Sequence, residues 1–79
     1  MPRYFFNIRQ GAHVSLDEEG LILPGMEAAL REAEQSGREL LADMVREGTP
    51  LDGQVIEITD EDGAVLRSVG LKSLFWIGA

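Results

Sequence analysis

Strict alternation opens the chain, a helical period fills its middle, and alternation returns before an apolar tail. From Arg3 to Gln10, Tyr4, Phe6 and Ile8 point one way while Phe5, Asn7 and Arg9 point the other. A period of two rich in aromatic and β-branched residues predicts a half-buried strand. Phe5 breaks the polar side of that strand, so it either covers a second surface or marks a contact patch. Gln10-Gly11-Ala12 offers a turn, and His13 to Leu16 alternates again, which makes the two segments a hairpin. Asp17-Glu18-Glu19-Gly20 ends it, and Leu21-Ile22-Leu23 is a short apolar continuation before Pro24-Gly25.

Met26 to Glu47 predicts one amphipathic helix. Met26, Leu30, Ala33, Gly37, Leu40 and Met44 alternate steps of four and three, and Ala29, Leu41 and Val45 widen the stripe. Gly25 is an acceptable N-cap that offers no side-chain acceptor. Glu27 sits in the first turn, where the helix dipole favours negative charge. Glu27 with Arg31 and Glu34 with Arg38 are acid-before-base pairs, each worth about 0.2–0.5 kcal/mol. Gly48 suits the position just past the helix, and Pro50 prevents its continuation. Gly37 lies on the apolar face and costs up to about 1 kcal/mol relative to Ala. It predicts a close approach of the helix backbone to the sheet; the alternative is a shallow notch for a partner.

Beyond the loop Thr49 to Gly53, Gln54 to Thr59 reads as a strand with Ile56 and Ile58 on one face. Asp60-Glu61-Asp62-Gly63 is a turn, and Ala64 to Val69 returns with Val65, Arg67 and Val69 on one face. The tail Leu71 to Ile77 fits either a last strand or a helical turn. The elements add up to one α+β domain over residues 1–79, a two-layer ββαββ unit with helix 26–47 laid on one face of an antiparallel sheet.

Charge and composition narrow the function classes. The formal charge is −7, with 14 acidic against 7 basic residues. A balance of that sign repels phosphate backbones and argues against nucleic-acid binding. No apolar run approaches the ~20 residues of a membrane span, and the opening residues are too short and polar for a signal peptide. A chain without Cys fits a reducing cytoplasm. It also leaves oligomerisation as the remedy for the marginal stability of a small core.

The candidates for chemistry are weak. Asp17-Glu18-Glu19 and Asp60-Glu61-Asp62 suggest a hard cation, but the second loop lacks the later ligands of a calcium loop and reads better as a polar hairpin turn. His13 stands alone, without a nucleophile motif. No catalytic, cofactor or metal residue is assigned. The aromatics Tyr4, Phe5, Phe6, Phe75 and Trp76 lie at the two ends of the chain and form one cluster if the end strands are neighbours. Consecutive rings in a strand face opposite sides, and one helix covers one face. Some rings should therefore be exposed or covered by a second subunit.

The order of motifs Met1-Pro2-Arg3-Tyr4-Phe5-Phe6, Asp17-Glu18-Glu19-Gly20, Leu23-Pro24, Glu27-Ala28-Ala29, Arg38-Glu39-Leu40-Leu41-Ala42-Asp43, Ile56-Glu57-Ile58 and Asp60-Glu61-Asp62-Gly63 resembles a family of short uncharacterised bacterial proteins, the DUF 6894 group. The resemblance spans nearly the whole chain. It departs at Gly25, where the family has an Asp N-cap, at Gly37, where it has a small residue such as Ala, and in the tail around Phe75-Trp76. The family implies the fold and a bacterial origin and no mechanism.

The expected function is a non-enzymatic protein–protein interaction module, homodimeric, contacting its partner through Tyr4, Phe5, Phe75 and Trp76. The alternatives are an acidic regulator of a basic protein partner, acting through Asp17, Glu18, Glu19, Asp60, Glu61 and Asp62, and a metal-binding or enzymatic domain using His13 and the acid loops.

Overall fold

A computed structural model describes residues 1–74. Strands β1 (Arg3–Gln10), β2 (His13–Ser15) and β3 (Leu21–Ile22) precede helix α1 (Met26–Glu47), which is followed by β4 (Val55–Thr59), β5 (Val65–Gly70) and the helical turn α2 (Leu71–Leu74). The sheet is antiparallel and ordered β2-β1-β4-β5, with β3 pairing the start of β1 and β2 its end. This is the expected α+β arrangement, with β3 as an additional strand. The tail is a helical turn through Leu74, and Phe75 and Trp76 lie outside the described residues.

The core follows the periodicities. Tyr4 of β1, Ile56 and Ile58 of β4, Val69 of β5 and Leu71 of α2 meet Ala29, Ala33, Leu41 and Met44 of α1, with Phe6 and Ile8 packed at its side. The stripe on α1 is narrower than the sequence implied, because Val45 is 69% exposed. Gly48 closes the helix at φ 74°. Its N–H bonds Val45 O at 3.3 Å and the Thr49 N–H bonds Met44 O at 2.9 Å, the paired bonds of a Schellman end. At the other end Gly25 makes no side-chain cap bond. Neither expected four-apart ion pair forms; among the described residues Arg46 pairs with Asp43, and Arg9 with Glu57. Exposed arginines lose rotamer freedom for little Coulomb gain in water.

One register shift corrects the reading of β5. Val69 faces Ile56 and Arg67 faces Ile58, but Val65 pairs with Thr59 across a bulge. The extra residue moves Val65 to the opposite face from Val69, because side chains alternate with a period of two. Val65 thus shares the outer face with Thr59 and Phe5, which pair across β4 and β1.

Gly37 is explained by α2 as much as by the sheet. A Cβ there would overlap Leu74 Cδ1 and stand 3.2 Å from Leu71 Cδ2 and 3.3 Å from Ile56 Cδ1. The position is buried and filled, so it is a packing contact and no open notch. The helical turn is seated where a helix side chain would otherwise project. The Leu71 N–H, bonded to Gln54 O at 2.9 Å, pins the turn to the start of β4. Gly37→Ala is expected to be neutral or destabilising in the native chain. In a Leu74→Ala background it is expected to stabilise by up to about 1 kcal/mol through helix propensity. Urea unfolding of the four chains checks this, and equal effects in both backgrounds would count against the contact.

Candidate functional site

Asp17 organises the edge of β1. The Tyr4, Phe6 and Ile8 peptide groups point away from β4, where β3 serves the first and β2 the last. Between them the Phe6 N–H has no strand to bond. It donates to Asp17 Oδ2 at 3.1 Å, while Asp17 Oδ1 accepts the N–H groups of Glu19 and Gly20, both at 3.2 Å. Asn7 Oδ1 returns a bond from the Asp17 N–H at 2.8 Å. Gly20 is required twice over: its φ is +67°, and a Cβ would stand 2.7 Å from Tyr4 O and 2.9 Å from the Phe5 ring. The Asp-x-x-Gly spacing carried a turn signal; its partner Asn7, ten residues back in the chain, did not stand out.

Asp60 has a structural role in the second acid cluster. Asp60 Oδ1 accepts the N–H groups of Asp62 at 2.9 Å and Ala64 at 3.0 Å, and Gly63 turns the chain at φ 84°. Among the described residues no group of three or more His, Asp or Glu side chains is placed to hold a metal ion. His13 is exposed on β2, opposite Gln10.

Three surfaces remain as candidates. A groove of about 370 Å³ runs between α1 and the β1 side of the sheet. Phe6, Ile8, Leu40 and Ile56 line it with apolar surface, and Asp17, Glu19 and Glu32 stand around it. It exists because α1 lies over β4 and β5 more than over β1. The outer face of the sheet carries the Arg9–Glu57 ion pair at 2.9 Å and a recess of about 200 Å³ where Phe5, Leu16 and Thr59 meet the Asp60 turn. The third surface is the edge of β5, where Val65 is 50% and Leu66 42% exposed.

The expected contact residues separate. Tyr4 is 7% exposed in the core, because it shares the helix-facing side with Phe6 and Ile8, and it is not on offer to a partner. Phe5 is half-buried on the outer face, next to Gly20. Phase of the alternation separates the two rings. Phe75 and Trp76 fall outside the described residues.

Fold and surfaces together define a small two-layer α+β domain with candidate docking surfaces and no assembled catalytic constellation among the described residues. The chain matches the model of a domain of unknown function, DUF6894, over residues 3–72, and it belongs to that family. No curated protein and no solved structure matches it significantly. No helix among the described residues is long and apolar enough to cross a membrane.

Asp17→Ala is expected to cost about 1–3 kcal/mol, the penalty for stranding a part-buried donor. Gly20→Ala should cost at least as much, since backbone at Tyr4 must move. Thermal unfolding followed by circular dichroism measures both. Millimolar calcium is expected to leave the midpoint of the native chain unchanged; a rise would reopen the acid loops as a cation site.

Proposed function

We propose that this chain is a non-enzymatic protein–protein interaction module that works as a homodimer in the bacterial cytoplasm. The single observation that carries the reading is the open side of the sheet. One helix covers one face, and the edge strand β5 keeps Val65 and Leu66 half-exposed. An edge of unpaired peptide groups bearing apolar side chains is a template for another strand. Phe5 and Leu16 add apolar surface on the neighbouring outer face. The cysteine-free composition supports the compartment.

A second reading rests on the groove. Its apolar floor and its rim of Asp17, Glu19 and Glu32 suit an aliphatic side chain flanked by Lys or Arg. Of the six acids expected to meet a basic partner only Asp17 and Glu19 line it, while Asp17, Glu18, Asp60 and Glu61 line the outer-face recess. Salt separates the two: apolar strand pairing persists at high ionic strength, whereas a charge-led contact weakens.

Light scattering across a dilution series is expected to give twice the chain mass of 8.7 kDa at high concentration, retained in about 1 M salt, where charge attraction is screened within ~3 Å. One chain mass at every concentration would overturn the homodimer and direct attention to a basic hetero-partner.

A further inference from the structure

We propose that two copies of this chain join β5 to β5, antiparallel about a two-fold axis at Ser68, with Lys72 of each copy beside the acidic turn of the other. This rests on the homodimer reading and specifies its interface.

The hydrogen-bond pattern identifies the free backbone groups. The Leu71 N–H bonds Gln54 O, so alternate pairs Ile56–Val69 and Ile58–Arg67 are the hydrogen-bonded ones in the β4–β5 ladder. The peptide groups of Ser68 and Gly70 therefore point outward, away from β4. Gly70 O already accepts the Ser73 hydroxyl at 2.6 Å. Among the described residues Ser68 keeps both its N–H and its C=O for a partner.

Three positions for the axis are close enough to the strand centre to compete. An axis at Arg67 sets that cation against its own copy, which is repulsive. An axis at Val69 makes Ser68 and Gly70 exchange bonds and needs the carbonyl that Ser73 occupies. An axis at Ser68 lets the free groups of Ser68 exchange two bonds with the same residue of the second copy. It sets Arg67 opposite Val69 and Leu66 opposite Gly70. Among the described residues a Cβ at Gly70 would meet nothing within 4 Å, leaving space there for Leu66, which is 42% exposed. Arg67 and the bulge, devices that blunt an edge against indiscriminate pairing, thus select one register.

Charge agrees with the geometry. Copies of net charge −7 repel at long range. Antiparallel pairing brings the start of one β5 to the end of the other. The exposed Glu61 and Asp62 precede the start of β5, and the exposed Lys72 follows its end. Each interface therefore gains the same opposite-charge neighbours twice, as a two-fold axis requires.

The test compares native chain, Ser68→Pro, Lys72→Glu and the double reversal Lys72→Glu/Asp62→Lys by light scattering over one dilution series, with circular dichroism to follow the fold. The Ser68 N–H does not serve β4, so proline there is compatible with the monomer. Ser68→Pro is expected to be folded and monomeric. Lys72→Glu should weaken the dimer about fivefold, in the range of an exposed charge pair, and the double reversal should recover it. Should Ser68→Pro fail to fold, Ser68→Cys decides. The chain has no other thiol, and facing residues of a hydrogen-bonded pair, about 5.5 Å apart at Cα, lie within disulfide reach. Mild oxidation should couple Ser68→Cys far faster than Glu39→Cys, placed on the exposed face of α1. A native chain that is monomeric throughout overturns this docking and the homodimer together. A dimer that survives Ser68→Pro, or equal coupling of the two thiols, overturns the docking alone.

Discussion

One helix cannot cover this sheet, and most features of the molecule follow from that mismatch. A helix is about 10 Å across, while a path of four strands spaced ~4.8 Å apart is nearly twice as wide. Placed over β4 and β5, α1 seals Ile56, Ile58 and Val69 and leaves Phe6 and Ile8 only half-covered. The groove is the uncovered remainder of the inner face. The outer face has no second layer among the described residues, so its apolar residues, Phe5 and Val65, stay partly in water.

The same mismatch explains why so small a chain needs local clasps. At about 60% surface burial, a domain of this size has little stability to spare. α2 adds Leu71 and Leu74 to the core, and this is possible only because Gly37 leaves room for them. Asp17 supplies the bond that a continuous strand beside β1 would have made. Asp60 tightens the second hairpin in the same manner. The acid clusters are therefore explained without a cation. One carboxylate of each, Asp17 and Asp60, answers backbone N–H groups that the short strands and turns leave over. For the part-buried Phe6 and Gly20 N–H groups, staying unpaired would cost more than a typical hydrogen bond returns.

The legible part of the fold was the part set by strong periods. α1 runs over the residues its stripe and its terminal glycine implied, and the helix-facing side of β1 was readable from Tyr4, Phe6 and Ile8. β3 and α2 were not, because two and four residues are too short for a period to declare itself. Alternation alone places Val65 on the wrong face, because a bulge adds a residue without leaving a mark in the local composition. Tyr4 shows the limit at the level of the site: aromatic character suggested a contact residue, while the strand's phase buried it. Gly37 was legible as a close approach, but its main neighbour lies in a segment whose conformation the sequence left open.

Among the described residues the edge of β5 is open, which is informative because the other edges are managed. β1 is interior, flanked by β4 on one side and by β2, β3 and Asp17 on the other. β2 and β3 are too short to template much. β5 has six residues, one cation and one bulge, which is enough to disfavour a slipped pairing and too little to prevent a matched one. A surface meant only to resist association would carry more charge along the strand. Here, Arg67 apart, the charges sit at its two ends, with acids before it and Lys72 after it. An antiparallel copy is the one strand for which that distribution is self-complementary.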